Sequence, residues 1–208
     1  GSNVLRGLVN YGFSEDDLVV MNTDLNSLLA HPCRKKLLIP IMGDHPKKEI
    51  SRFFLDPAHK MELETFVEGN DAGILIAGLG GKTGTILIQQ AADICRKMGL
   101  ATVALGVKPF SFEDKIRSCE ANEAIEVLKL VADVTIAVEN DALFRTLPNT
   151  VTMGGAFGYL NEYISRLVAI SVNVFTTKEK SDWADELNER YVRIAREGIT
   201  ISFREDFD

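Results

Sequence analysis

The chain has 208 residues, of which 46% are apolar, and its formal net charge is −7 at pH 7. This composition suffices for one well-packed domain, and the acidic balance without a long basic run argues against a nucleic-acid-binding surface. No apolar run of about 18 residues predicts a transmembrane helix, and no signal peptide opens the chain. Three cysteines without C-x-x-C spacing indicate reduced thiols in a cytoplasmic protein. The three histidines lack the pattern of metal ligands.

Apolar runs and helical patterns alternate along the chain. Five continuous apolar runs predict strands that are covered on both faces: Leu18–Asn22, Lys36–Pro40, Gly73–Ala77, Ala101–Val107 and Val134–Val138. Helical patterns precede or separate them at Asn3–Tyr11, Met61–Val67, Thr85–Lys97 and Phe112–Leu130. The repeated order predicts an α/β fold with a doubly wound, mostly parallel sheet and helices on both faces.

A glycine-rich turn joins the third strand to the next helix. Glycine at four of seven positions lets a phosphate approach the backbone, two threonines add hydroxyl donors, and the helix N-terminus points at the same place; these residues are Gly78, Gly80, Gly81, Thr83, Gly84 and Thr85. Ile76 breaks the P-loop pattern, and Thr83 takes the third glycine position of a dinucleotide turn. A plain tight turn is the alternative. Lys82 is either a phosphate ligand or a solvated loop lysine.

Polar segments follow four of the predicted strands. They are Asn22-Thr23-Asp24, the glycine-rich turn, the segment Lys108–Arg117 and Asn140-Asp141. Ligands of doubly wound sheets bind at the carboxyl ends of the strands. We therefore expect these segments to converge on one edge of the sheet, whatever the family.

Five segments, in this order, resemble the nucleotide-binding domain of FtsZ and the tubulins. Ala77–Thr85 (AGLGGKTGT) resembles the FtsZ loop AGMGGGTGTG, and Leu18–Asp24 ends in the same NTD. Lys108–Arg117 (KPFSFEDKIR) resembles KPFxFEGxxR, and Ala156–Asn161 (AFGYLN) resembles AFxxAD. Asn140-Asp141 matches the ND that follows a strand in FtsZ.

The resemblance implies a fold, a ligand and an activity. It implies a tubulin-like domain with a long central helix near its C-terminal end, GTP or GDP as the cofactor, with or without Mg²⁺, and a cytoplasmic cytoskeletal or cell-division GTPase. Such proteins assemble head to tail and hydrolyse GTP at subunit contacts. A second hypothesis is a non-catalytic scaffold or regulator of a full-length homologue. A Rossmann-type dinucleotide binder is a weaker third reading, because the acidic residue expected after the second strand is missing.

The resemblance also implies roles for single residues. Glu113 and Arg117 would contact the ribose and the base edge, although an i,i+4 ion pair is the ordinary alternative. Asn140 and Asn161 would read guanine, whose edge carries both donors and acceptors. For Asn140 a helix cap is the alternative. Phe157 would stack near the base or be a core residue. The matching segments also include Asn22 and Pro109, and Gly43 stands where FtsZ senses the γ-phosphate.

Two departures from FtsZ stand out. Of the region that forms the first strand of FtsZ, in the middle of its sheet, only Gly1-Ser2-Asn3 remain; either the strand Ile199–Phe203 fills this gap, or the first strand is absent from the given sequence. The FtsZ motif NxDxxD, whose aspartates act on the nucleotide of the next subunit, is reduced to a faint match at Asp206. We therefore divide the chain into a GTP-binding domain, 1–175, and a divergent helix and strand, 176–208, without a full activation domain.

Overall fold

The structure is a computed structural model that describes residues 4–31, 33–39, 55–148 and 150–207. Its strands are β1 (Val19–Asn22), β2 (Lys35–Leu38), β3 (Ala72–Gly78), β4 (Ala101–Lys108), β5 (Val134–Glu139) and β6 (Ile199–Phe203). Its helices are α1 (Val4–Asn10), α2 (Leu25–Leu29), α3 (Pro57–Val67), α4 (Lys82–Lys97), α5 (Lys115–Val131), α6 (Asn140–Arg145), α7 (Met153–Thr177) and α8 (Trp183–Ile194). Short 3₁₀ turns lie at Glu15–Asp17 and Lys180–Asp182.

The strands form two sheets. β1 pairs with β2 in parallel, and β3, β4 and β5 form a parallel sheet in that order. β6 adds to the far side of β5 in the antiparallel direction. The predicted α/β class with a mostly parallel sheet is thus confirmed. Among the described residues, no helix has both the length and the apolarity needed to span a membrane.

Helices cover both faces of the four-stranded sheet. On one face, α4 and α5 bury alanines, isoleucines and Leu128 against β4 and β5. On the other face, α1, α7 and α8 share a core with the same strands, and α7 is 25 residues long. Apolar residues on both faces explain why β4 and β5 are nearly continuous buried runs. This core fixes the carboxyl ends of β3, β4 and β5 relative to one another.

Among the described residues, no strand pairing joins the two sheets. β6 pairs with β5 at the outer edge, so it does not fill the gap beside β3, and that sequence-based possibility is wrong. Most of β3 is only partly buried, whereas β5 is buried up to its last residue. The connection between the sheets is made instead by α4, which contacts both β1 and β3. A hydrogen bond of 2.7 Å between the hydroxyls of Thr23 and Thr83 adds to it.

Several helices begin elsewhere than the sequence pattern indicates. α3 begins at Pro57, four residues before the predicted Met61, since Asp56 caps the helix by accepting from two backbone N–H groups. α4 begins at Lys82, three residues before the predicted Thr85. α5 begins at Lys115, after its cap Asp114, and not at the predicted Phe112. The end of the glycine-rich turn is therefore the first turn of a helix.

Candidate nucleotide site

Three of the four polar segments identified in the sequence meet at the carboxyl edge of the main sheet. Gly78 pairs with Val107, which in turn pairs with Val138. The glycine-rich turn, the segment after β4 and Asn140 therefore leave the sheet side by side. The convergence expected from strand order is thus present for these three segments, whereas Asn22-Thr23-Asp24 follows β1 in the other sheet and is joined to them by the Thr23–Thr83 hydrogen bond.

Two of the four glycines are required by close packing within the protein. A Cβ on Gly84 would lie 2.1 Å from the carbonyl oxygen of Gly78, because α4 packs directly on the end of β3. Gly80 has a φ of +80°, and a Cβ there would lie 2.5 Å from the carbonyl oxygen of Arg117. The other two, Gly78 and Gly81, have room for a Cβ, so their side is open to an incoming group.

The turn is held by its own hydrogen bonds, but the start of α4 is not capped. Gly80 donates its N–H to Oγ1 of the buried Thr85 at 2.9 Å, so these two groups stabilise the turn. Thr83 hydrogen-bonds to Thr23. Among the described residues, no side chain caps the first turn of α4, which begins with the exposed Lys82. An uncapped helix start presents free backbone N–H groups and a positive dipole end.

The beginning of α5 closes one side of this opening. Glu113 accepts from the backbone N–H of Phe110 at 2.9 Å and pairs with Arg117 at 2.6 Å. The i,i+4 ion pair considered from the sequence therefore exists. The Arg117 guanidinium also approaches the glycine-rich turn, 3.8 Å from where a Cβ of Gly81 would lie. A cation thus lies beside the uncapped helix start.

A small cavity lined by aromatic rings lies beside Asn140. Phe110 stacks on Phe112 at 5.0 Å and contacts Phe144 and Phe157 edge to face at 5.6 and 5.8 Å. The cavity measures about 10 Å³, and Asn140 lines it. Asn140 is 8% exposed, and its Oδ1 has no hydrogen-bond partner among the described residues, so the amide oxygen does not cap α6. A buried acceptor of this kind is rare and costs free energy.

One positioning residue was missed in the sequence. Asp141 accepts two hydrogen bonds from Ser111, 2.7 Å from its backbone N–H and 3.1 Å from its hydroxyl. These bonds fix the segment after Pro109 against the start of α6. The signal was present in the Asn140-Asp141 pair, but only Asn140 was considered. Phe110, at the centre of the aromatic contacts, was also missed.

The remaining predicted residues lie around or away from this opening. Asn22 uses its Oδ1 to accept from the backbone N–H groups of the two following residues. Asn161 is half-buried on α7, one turn after Phe157, and does not line the cavity. Gly43 lies outside the described residues.

Asp206 lies at the opposite end of the sheet. It follows β6, whose Phe203 pairs with the first residue of β5, and β5 is about 20 Å long. Asp206 forms a hydrogen-bonded ion pair with Arg204, which holds the pKa of this carboxyl below its ordinary value. The distance places it beyond reach of the glycine-rich turn of its own chain.

Known proteins share this architecture. A mutant FtsZ of M. jannaschii is 28% identical, with a TM-score of 0.71 over 90% of this chain and 59% of its own. An empty FtsZ dimer of the same organism is 27% identical, with a TM-score of 0.71 over 90% and 57%. CetZ2 from Haloferax volcanii, a GTPγS-bound protofilament, is 18% identical, with a TM-score of 0.69 over 89% and 59%. This last likeness concerns the fold alone.

The chain thus spans about three fifths of the length of these solved structures. The model of the Tubulin/FtsZ family, GTPase domain, matches residues 13–148, which include the glycine-rich turn, the start of α5 and Asn140. The resemblance inferred from five short segments is therefore confirmed, and the chain belongs to the Tubulin/FtsZ family.

Proposed function

We propose that this chain binds GTP or GDP at the carboxyl edge of β3, β4 and β5. The phosphates would lie against the uncapped start of α4, on the open side of Gly78 and Gly81. Arg117 and the exposed Lys82 supply positive charge there. The base would lie between the aromatic rings and Asn140.

The unpartnered amide oxygen of Asn140 carries the guanine assignment. Guanine presents N1–H and N2–H₂, which can donate to Oδ1, whereas the corresponding edge of adenine offers an acceptor in place of the N1–H donor. A ligand that supplies the missing donor recovers the cost of the buried acceptor, about 1–3 kcal/mol. The cavity of about 10 Å³ holds no more than one water. Base binding therefore requires the aromatic rings to separate, and Phe157, 42% exposed, is free on its outer side to move.

Titration of labelled GTP and ATP into the purified chain tests this proposal. We expect saturable binding of GTP with a clear preference over ATP. The variant Asn140→Leu removes the acceptor at similar volume, so it should weaken GTP binding by about 1–3 kcal/mol and leave ATP binding unchanged. Asn26→Leu, on the exposed side of α2, is the matched control. Equal affinity for both nucleotides, or parental binding by Asn140→Leu, would reject the guanine assignment.

A magnesium ion at this site would depend mainly on the nucleotide. Among the described residues, no group of three or more His, Cys, Asp or Glu side chains is placed to hold a metal ion. Mg²⁺ is commonly bound through substrate phosphates, water and one or two protein oxygens. The hydroxyl of Thr83 is the group of the turn suited to complete such a shell, because that of Thr85 is buried and accepts from Gly80.

We further propose that the chain alone turns GTP over slowly or not at all. Asp206 matches the catalytic aspartates only faintly, and it lies at the far end of the sheet from its own glycine-rich turn. It could act only on the nucleotide of a neighbouring subunit, in a head-to-tail filament or with a full-length homologue. Absent catalytic groups lower rates by about 10²- to 10⁴-fold. Phosphate release measured across protein concentration tests this: rapid release that rises with concentration would show that the chain completes its own site.

A further inference from the structure

A second cavity lies on the face of the main sheet that α5 covers, away from the nucleotide site. It measures about 150 Å³. Its floor consists of the small side chains of Thr135 and Ala137 on β5 and, directly opposite them, Ser202 and Thr200 on β6. These residues leave open space because α5 packs over β4 and β5 and does not extend across the antiparallel edge strand.

The floor contains an unsatisfied polar group. Thr135 is 1% exposed, and its Oγ1 has no hydrogen-bond partner among the described residues. Its cross-strand neighbour is Ser202, but no hydrogen bond joins the two hydroxyls. A hydroxyl that is buried without a partner costs free energy and calls for an explanation, and a bound water or ion is one such explanation.

Lysines line the same cavity. Lys108, at the end of β4, pairs with Glu139 at 3.1 Å, and Lys129, on α5, pairs with Glu126 at 2.7 Å. Each ammonium has three N–H donors, so each keeps donors for a ligand while its ion pair persists. The cavity therefore combines two paired ammonium groups, the carboxylate of Glu126, the amide of Asn122 and hydroxyl donors around a volume that suits a small polar molecule, with Ile125 as an apolar wall.

We propose that this cavity binds a small oxyanion, a phosphate or carboxylate group, between Lys108 and Lys129, with the hydroxyl of Thr135 as a donor. Ammonium and hydroxyl groups are the donors that oxyanions prefer, and charge-assisted hydrogen bonds are the stronger ones. The site is separate from the nucleotide site and does not rest on the function proposed there. Lys108 is the first residue of the segment Lys108–Arg117, whose later residues reach the nucleotide site, so the two sites are neighbours in the chain.

The test uses the amide signals of the ¹⁵N-labelled chain in NMR titrations. Inorganic phosphate and acetate serve as separate probes, at ionic strength matched with potassium chloride. We expect saturable shifts at Thr135, Thr200 and Ser202 with at least one probe. A response to phosphate alone identifies a phosphate ligand, and a response to acetate alone identifies a carboxylate; either supports the proposal.

Two variants and one control variant make the test specific. Thr135→Val replaces the unpartnered hydroxyl at equal shape, so it should weaken anion binding about tenfold or more and raise the thermal midpoint of the ligand-free chain. Lys129→Gln should also weaken binding, whereas Lys97→Gln, which breaks a comparable ion pair on α4, should not. The proposal is overturned by shifts confined to Gly80–Gly84, by unsaturable shifts, by parental binding in Thr135→Val, or by a lower midpoint of that variant.

Discussion

Replacing single glycines by alanine separates the two uses of the glycine-rich turn. At Gly81 the backbone has φ −113° and ψ 151°, which any residue adopts, and the nearest atom to a new Cβ is 3.8 Å away. At Gly84 the new Cβ would lie 2.1 Å from the carbonyl oxygen of Gly78 and 3.2 Å from its carbon. The first substitution adds a methyl group to open space, and the second forces α4 away from β3.

We therefore expect Gly81→Ala to affect mainly nucleotide binding and Gly84→Ala to affect mainly folding stability. Gly81→Ala should leave the thermal midpoint within a few degrees, because the gain from a less flexible unfolded chain, about 0.4–1 kcal/mol, offsets a slightly poorer helix cap. It should weaken GTP binding by about 1.5–3 kcal/mol, the value of a hydrogen bond to a charged group, or about 10- to 150-fold. Gly84→Ala should cost at least about 1–3 kcal/mol of folding stability, since backbone atoms must move.

Thermal unfolding and fluorescence titration with a labelled nucleotide measure the two effects independently. Gly154→Ala is the control, because it lies in α7 with no atom within 4 Å of the added Cβ, and it should change neither binding nor fold. If Gly81→Ala binds GTP like the parent, phosphates do not lie against this turn. If Gly84→Ala unfolds at the parental midpoint, the close packing of α4 on β3 is wrong.

Three further predictions concern the rest of the molecule. Ser171 donates to the carbonyl of Leu167, so the buried Tyr191 hydroxyl must donate to Ser171. Ser171→Ala should therefore lower the free energy of urea unfolding by about 1–3 kcal/mol, more than Tyr191→Phe does, because it leaves a buried donor unpaired. The reverse order would refute this account. Under native conditions only Cys119 should react rapidly with a disulfide reagent, because it is exposed. Cys33 is buried, and burial raises the pKa of the Cys95 thiol to about 11. Rapid reaction of more than one thiol would contradict this prediction. Hydrogen bonds from Lys178 and Arg190 lower the pKa of Glu186. The stability that Glu186 adds to the fold is therefore complete above its ordinary pKa of about 4.3 and is lost as pH falls through the folded value. Glu186→Gln should flatten the acid limb of a curve of folding stability against pH, and an unchanged limb would count against these hydrogen bonds.

The sequence predicted the strands better than the helix starts. Apolar runs buried on both faces are strong signals, so β4 and β5 extend only one residue beyond their predicted ends. The start of α4 was missed because glycine has a low helix propensity, while tertiary packing of Gly84 on β3 decides the local conformation. At α3 the cap Asp56 and the proline at 57 mark the helix start in the sequence, but the apolar pattern by itself places that start at Met61.

Contacts between distant parts of the chain were not predictable from the sequence. The aromatic contacts join Phe110, Phe144 and Phe157, which no local pattern links. The side of the sheet to which β6 adds is equally a tertiary property. By contrast, the convergence of the loops after β3, β4 and β5 followed from the parallel order of these strands alone.

The separation of the described strands into two sheets has a consequence for cooperativity. A pair of short parallel strands is marginal by itself, and β1 and β2 depend on the α4 helix and on contacts such as the Thr23–Thr83 hydrogen bond to stay attached. The unit of β1 and β2 can therefore open locally while β3 to β6 remain protected from amide exchange. A phosphate bound beside Thr83 would lie at the joint between these units. Bound nucleotide would then hold the two units together, and it would raise the amide-exchange protection of β1 and β2 most.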